Sequence, residues 1–456
     1  MAVVQTTKAS TFNSMINEYL PYDLLMKEFV ERNWLLKTAN MKEGWLGDNL
    51  IIPYQSTLAS SVKMGGLTAA NDIAEAEYVR GQLTGYKECW ATLLFNSRDL
   101  LENNQVSEKN FLRLMPDQLE QSMAYMKELV STAVLNVQQI SDISSITTAG
   151  GVATLGVLVV SNPEALRIGQ KVLLRDAATT EEEAYIISIN LNSGSIEVAD
   201  TRGGTEYNPA LTVTATGGGV YLPDTFNSTT NNGFTSLLQQ VLPSGYLGAP
   251  ATVFGQTKTS SPFTQGLIYD AADWANGTPS TGTQGAGNLI TAHTDILAQI
   301  FNALAKARQR KANPSTFIMS YKHFSACLSA LEYGGGSSST QGSGAFKNVT
   351  DKVDYAGFSE ISVGSLMGSV KLVAINEMTD KVILGVDEKK LDFHTNKGFM
   401  IQESPDGLKF YSVRNTTGYQ YIIDICFYGD FVYSQPWTSI AMTMPTTYTG
   451  IPNFNI

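Results

Sequence analysis

The residue types that carry most protein chemistry are few in this chain and poorly spaced for it. The histidines are His293, His323 and His394. None stands in H-E-x-x-H or beside a second ligand, so the pattern a zinc centre requires is missing. His293 lies in an amphipathic stretch and His323 precedes Phe324, and each reads as a solvated or hydrogen-bonded structural side chain. Cys89, Cys327 and Cys426 are far apart, each in apolar or aromatic surroundings, and no Cys-x-x-Cys occurs. They read as buried free thiols in a reducing cytosol. The acidic run Glu181, Glu182, Glu183 reads as a solvated strand edge or loop. DKVDYAG has carboxylates without the spacing or terminal Glu of a calcium loop. GGGSSSTQGSGAF has no Lys-Ser/Thr to cradle phosphate. There is no G-x-S-x-G elbow, and no G-x-G-x-x-G links a strand to a helix. The sequence therefore predicts no enzyme site, no cofactor and no metal.

Charge narrows the function further. The chain carries a formal net charge of −11, and only 16% of its 456 residues are charged. A dedicated nucleic-acid binder needs a basic stripe to displace phosphate counterions, which this balance excludes. The densest basic run is Lys306, Arg308, Arg310 and Lys311, at the end of a helical pattern where cations complement the dipole. Sparse charge among many Ser, Thr, Asn, Gln and Gly suits surfaces buried against neighbours, because each buried charge needs a partner. No apolar run reaches the roughly 18 residues of a membrane span. The N-terminus MAVVQTTKAS has no basic region followed by an apolar core. A soluble protein made in the cytoplasm is expected.

The chain is long enough for two or three domains, and hydrophobic periodicity orders them. Residues 11–38 predict a helical arm, with Leu24, Leu25, Phe29, Leu35 and Leu36 on one side and Pro21 near the start. Residues 49–96 predict a long β-hairpin, one limb NLIIPYQSTL and the other YVRGQLTGYKECWATLLF, joined by a long loop around Gly65 and Gly66. Ser107 predicts the cap of a first helix, EKNFLRLM. Pro116 then predicts the first turn of a second helix, running to about Gln139 and about 36 Å long. Leu119, Met123, Met126, Val130, Ala133, Val134 and Val137 form its apolar stripe. From 141 to 225 helical patterns vanish; ALRIGQKVLLRDA, EEEAYIISINLN and GSIEVAD predict short strands of a small barrel or sandwich. An α/β pattern returns with the helices TSLLQQVLPS, NLITAHTDILAQIFNALAKARQR and YKHFSACLSALEY and the strand STFIMS. SVKLVAIN, KVILGV, YQYIIDICFYGDFVYS and SIAMTMP predict closing strands.

Taken in order, these elements resemble the Hong Kong 97 fold of tailed-phage major capsid proteins. NLIIPY through WATLLFNSRDLL looks like that family's extended loop and the strands at its base. FLRLMPDQLEQSMAYMKELVSTAVLN looks like its spine helix, and NPSTFIMSYKHFSACLSALE like the strand–helix element of its axial domain. GGGSSSTQGSGAF is similar to its loop near the capsomer axis. Tyr428, Gly429 and Pro436 match a tyrosine–glycine … proline pattern in its final strands. The resemblance covers about residues 11–138 and 226–445.

The resemblance implies an α+β fold divided into an N-terminal arm (1–48), an extended β-hairpin loop (49–96), a peripheral domain with the spine helix (97–140), an inserted β-rich domain (141–225), an axial α/β domain (226–385), closing strands of the peripheral domain (386–445) and a C-terminal arm (446–456). It implies a virion protein, assembled in the host cytoplasm, whose copies form the hexamers and pentamers of an icosahedral shell around a double-stranded DNA genome. Scaffolding, portal and decoration proteins are its implied partners, and packaged DNA is contacted only non-specifically. Lys63, Met64, Gly65 and Gly66 are the implied inter-subunit contacts at the loop tip; Gly335, Gly336, Gly342 and Gly344 form the implied capsomer-axis loop. The tip MGGLTAANDIAEAE contains no Lys, and Lys63 is the nearest one, so contacts are expected to be non-covalent. The absence of a long N-terminal scaffolding segment implies a separate scaffold or a segment already removed. An encapsulin-like shell and another phage structural protein, such as a tube or decoration subunit, are the alternatives; the spine helix disfavours the last.

Overall fold

A computed structural model describes residues 34–43, 45, 49–55, 78–84, 87–96, 108–136, 139–176, 180–222, 234–246, 249–258, 262–270, 296–332, 349–353, 359–365, 368–375, 377–395, 399–403, 407, 409–415 and 418–444. Of the expected arm helix only Trp34–Thr38 is described, with Trp34, Leu35 and Leu36 buried. Leu24, Leu25 and Phe29, like the C-terminal arm, lie outside the described residues.

The described residues form two large sheets, two two-stranded hairpins, a closed barrel and one long helix. The first sheet is built on Gly418–Tyr433, a 16-residue strand. Lys87–Asn96 pairs along its residues 420–429; Tyr411–Asn415 pairs with 418–422, Phe399–Ile401 with 425–427 and Leu391–Thr395 with 430–433. Asn40–Glu43 adds a parallel edge strand beside Leu391–Thr395. The expected second limb of the hairpin is thereby divided. Tyr78–Thr84 stays with Asn49–Gln55, whereas Lys87–Asn96 belongs to this sheet. The register of an alternating strand is set by which face finds a core. Leu93 finds one here, packed with Ile423, Ile425 and the long helix.

That helix runs without interruption from Glu108 to Leu135, 28 residues and about 42 Å. The expected break at Pro116 is absent: the proline sits inside the helix. A proline there removes one backbone hydrogen bond but fixes a φ the helix accepts. The packed stripe that follows, Met126, Val130, Ala133, Val134 and Leu135, offsets that loss. The helix stops at Asn136, short of the expected Gln139. The Asn136 side chain donates to the Glu377 carbonyl at 2.5 Å and accepts from Thr379 N at 2.9 Å. Replacing Asn136 by Ala strands a donor and an acceptor in a site 5% exposed; a loss of about 1–3 kcal/mol is expected in chemical denaturation.

The second sheet has seven strands in the order Leu267–Tyr269, Ile440–Thr443, Val382–Val386, Thr316–Met319, Gly368–Ala374, Ser359–Ser365, Val349–Val353. Its central strands are buried on both faces, as their continuous apolar runs require. Phe317, Met319, Leu372 and Ile383 meet the helices Ile296–Gln309 and Tyr321–Glu332; Ile318, Val373, Leu384 and Ala441 face the main core. Sequence order places Ile440–Thr443 with the peripheral strands, but it lies in this sheet, where its alternating residues complete both cores. The basic run at 306–311 ends a helix, as expected; Lys306 donates to the Ile268 carbonyl at 2.8 Å.

The β-rich block is a closed six-stranded barrel: Gly219–Tyr221, Gln139–Thr148, Gly156–Val160, Ser195–Ala199, Glu181–Asn190, Lys171–Arg175. Leu158, Val172, Leu174, Ile186, Ile196 and Val198 fill it. Its first and last strands are ladder neighbours, with Tyr221 opposite Gln139. Glu181 and Glu183 pair with Arg175 and Lys171 at the surface. Glu182 departs from the solvated role expected of it. It accepts from Thr212 N at 2.8 Å, from the Thr212 hydroxyl and from Tyr207, and so holds the 200–218 loop against the barrel. Arg167 joins the barrel to the long helix through Glu128 and the face of Tyr125, and Lys381 reaches Asp142 at 2.8 Å.

Candidate assembly interface

Strands Asn49–Gln55 and Tyr78–Thr84 pair antiparallel over their whole described length. Two strands alone are marginally stable in water, so their faces must find partners. Alternation gives each face its own composition. The inner face places Ile52, Tyr54 and Leu83 on Trp45 and Val432, with Leu50 and Phe254 at the margin. Gly81 makes room for the Tyr54 ring, because a Cβ there would come within 2.5 Å of it. The outer face holds Ile51, Pro53, Tyr78, Arg80 and Gln82. Ile51 and Tyr78 are 60% and 63% exposed.

A smaller hairpin braces this one. Thr252–Val253 and Gln256–Thr257 are joined by Phe254 and Gly255, both at positive φ as a tight primed turn needs. The Phe254 carbonyl accepts from Gln82 N at 2.8 Å, and Gln256 Nε2 donates to the Arg80 carbonyl at 2.7 Å. The Phe254 ring stacks on Tyr54 with centroids 6.3 Å apart. These contacts cover an edge that would otherwise be open.

The brace is anchored by a buried cation. Lys258 is 1% exposed, and its Nζ donates to the carbonyls of Gln239 and, at 2.6 Å, Leu242. Burial draws its pKa down to about 7. Those carbonyls close the short helix Leu237–Val241. At its other end Ser236 and Gln239 form a capping box. Gln240 spends both ends of its amide on the long strand, donating to the Phe431 carbonyl at 2.8 Å and accepting from Tyr433 N at 2.7 Å. Thr235 donates through its N–H at 2.9 Å and its hydroxyl at 2.7 Å to Asp430, which is fully buried. Burial pushes that carboxyl up to about 7 despite these bonds and the nearby Lys87. The capping box was readable in Ser236-x-x-Gln239. Nothing local marks Lys258 or Asp430.

A second apolar surface lies on the first sheet. Trp90 and Leu94 alternate with the inward Cys89, Ala91 and Leu93, and Val413 lies two strands away, across Gly418–Tyr433. All three are nearly half exposed. Glu88 accepts from Trp90 Nε1 at 2.9 Å, and Asp424 accepts from the Thr92 hydroxyl at 2.7 Å.

The other residues singled out from sequence are scattered. Lys63, Met64, Gly65 and Gly66, and likewise Gly335, Gly336, Gly342 and Gly344, lie outside the described residues, as does His293. His323 is buried with its Nε2 2.7 Å from the Asp380 carbonyl. His394 sits on an edge-proximal strand near Asp392 and Lys42. Burial raises the pKa of all three cysteines, to about 12 for Cys89 and Cys426. Such thiols are poor nucleophiles. Among the described residues no group of three or more His, Cys, Asp or Glu is placed to hold a metal ion, and no helix is long and apolar enough to cross a membrane.

No protein-family model matches the chain, and no curated protein matches it in sequence. Solved structures do resemble it. A subunit of the cyanophage A-1(L) capsid is 9% identical, with a TM-score of 0.49 and 92% of each chain covered. The holo-SrpI encapsulin complex from Synechococcus elongatus gives 9% identity and a TM-score of 0.39, over 91% of this chain and 89% of that one. The procapsid of satellite phage P4, which includes the size determination protein, gives 8% and 0.35, over 92% and 98%.

Proposed function

We propose that this chain is the major capsid protein of a tailed double-stranded DNA bacteriophage, a non-enzymatic subunit with the Hong Kong 97 type of fold. Copies assemble into the hexamers and pentamers of an icosahedral shell. The observation that carries this reading is the hairpin with one anchored face and one bare one. Ile51, Pro53 and Tyr78 are exposed within the described chain, while the opposite face is fixed to its own core. Laid on a neighbouring copy, the bare face gains the burial that the chain itself does not supply. The order of elements, with arm, hairpin, long helix, inserted barrel and α/β sheet, supports the same reading. Lys63, Met64, Gly65 and Gly66 then lie at the tip that reaches the neighbour; Gly335, Gly336, Gly342 and Gly344 line the capsomer axis. Scaffolding, portal and decoration proteins are the expected partners in the host cytoplasm. The net charge of −11 suits a lumen that holds DNA without gripping it.

Electron microscopy of the purified protein, alone and with a scaffolding partner, is the test. Uniform hollow icosahedra are expected. A chain that stays monomeric at high concentration under both conditions would overturn the assignment.

A further inference from the structure

Three segments meet at one end of the seven-stranded sheet: the loop that leads into Thr316–Met319, the start of Gly368–Ala374 and the turn after Val382–Val386. Thr316 lies opposite Lys371 on one side and Val386 on the other. Ser315 N donates to the Val386 carbonyl at 2.9 Å, and Lys371 N donates to the Ser315 carbonyl at 3.0 Å. The junction gathers Arg308, Arg310, Lys311, Lys371, Lys389 and Lys390 around two carboxylates, Asp387 and Glu388. In a chain with 31 basic and 42 acidic residues, that local balance is inverted. Both carboxylates are engaged. Glu388 accepts from the Thr316 hydroxyl at 2.5 Å and faces Lys371 at 3.5 Å; Asp387 accepts from Lys389 N at 3.2 Å. Among the described residues no carboxylate forms an ion pair with Arg310, Lys311, Lys389 or Lys390.

The helix dipole accounts for cations at the end of Ile296–Gln309, but not for Lys371, Lys389 and Lys390, which arrive from other elements. Lys311 is itself unusual. The helix closes with Lys311 N donating to the Arg308 carbonyl at 2.9 Å and Ala312 N to the Ala307 carbonyl at 3.0 Å. Lys311 takes the left-handed position of that closure, at φ +63°, where glycine is the least strained residue. A lysine there places charge where the backbone alone favours no side chain. The turn that carries the other cations is pinned. The Lys389 carbonyl accepts from Asn40 Nδ2 at 3.3 Å, and the Lys390 carbonyl accepts from Ser434 N at 3.0 Å. The exposed neighbours Gln309 and Asn313 are polar. A protein partner is held mainly by apolar and aromatic anchors, whereas phosphates are held by cations alone.

We propose that this end of the sheet is a phosphate-backbone contact for double-stranded DNA, in which Arg310, Lys311, Lys389 and Lys390 neutralise phosphates without reading sequence. This rests on the shell reading and names where the subunit meets the packaged genome; in the shell this end of the sheet faces the lumen. Four such cations on a chain of net charge −11 make a weak contact that salt readily screens. DNA can slide along a contact of that kind.

Fluorescence anisotropy of a labelled mixed-sequence duplex, titrated with the unassembled full-length chain, tests this. With four phosphates neutralised, affinity is expected to fall on the order of 100-fold from about 50 to about 200 mM salt. A duplex of different sequence should bind equally well. Arg310→Ala with Lys389→Ala should lower the slope of log affinity against log salt by about 2. Lys171→Ala, in the barrel, should leave it unchanged. Lys311→Gly separates charge from backbone: it should lower the slope by about 1 without lowering the midpoint of chemical denaturation. No duplex binding at low salt, or an unchanged slope in the Arg310→Ala, Lys389→Ala chain, overturns the contact. Binding of polyglutamate in place of the duplex also overturns it and points to an acidic protein partner instead. Because the readout needs no particle, failure here leaves the shell assignment standing, and failure to form particles leaves the DNA contact standing.

Discussion

A chain carrying Ile51→Asp and Tyr78→Asp is expected to fold and to form no particles. Both side chains are more than half exposed, on the outer face of the hairpin. Neither substitution removes an intramolecular contact of the core, so thermal unfolding should shift by about 0.5 kcal/mol or less each. At a contact between copies the effect is large. Each change forfeits the burial of an apolar side chain, about 1.5–3 kcal/mol, and leaves an unpaired charge to be desolvated, which costs several kcal/mol more. Even the lower figures raise the concentration needed for assembly about 100-fold or more. Light scattering and sedimentation against the unmodified chain measure it. Normal particles from the double variant would remove the hairpin's outer face from the interface.

Gly429→Ala is the substitution expected to cost most in stability. At φ +150° Gly429 occupies backbone space that other residues rarely adopt. Its added Cβ would stand 2.5 Å from Phe393 Cζ and 2.7 Å from the His394 carbonyl oxygen. Phe393 has no room to yield. It stacks on Phe427 with centroids 5.3 Å apart and 5° between planes, and meets Phe431 at 4.7 Å. Backbone strain and overpacking together amount to about 4 kcal/mol, a large share of the roughly 5–15 kcal/mol a domain commands. Chemical denaturation measures it. Adding Phe393→Leu should recover part of the packing cost and none of the backbone cost; full recovery would show that only the ring mattered.

Sequence and structure agree where periodicity had enough length to speak. The barrel strands, the long strand at 418–433 and the helix at 321–332 each repeat one period over several residues, and each lies where that period places it. Sequence and structure part where distant surroundings override a local preference. Pro116 marks a helix start by local preference, yet the stripe from Met126 to Leu135 holds one helix together around it. YVRGQLTGYKECWATLLF reads as one limb because its composition is uniform. The division after Thr84 is made by the strand Gly418–Tyr433, hundreds of residues away, which claims Lys87–Asn96 while Tyr78–Thr84 stays with its near neighbour; composition does not encode that. The hairpin's two limbs were legible as β-rich runs. Its anchor was not: Lys258, Gln240 and Asp430 act through bonds that span between 16 and 195 residues of sequence.

The barrel's closure has a practical consequence. Gln139 and Tyr221 are neighbours across one ladder, so the chain enters and leaves the barrel about 5 Å apart. A gap of that size is bridged by a short turn. The barrel is thus a cassette: the host fold is covalently indifferent to what stands between those two residues. Replacing the barrel would forfeit the tethers to Glu128 and Lys381 and also its apolar packing, because residues of the barrel and of the host share one core. The same seam is where one domain can be exchanged for another without rerouting the strands on either side.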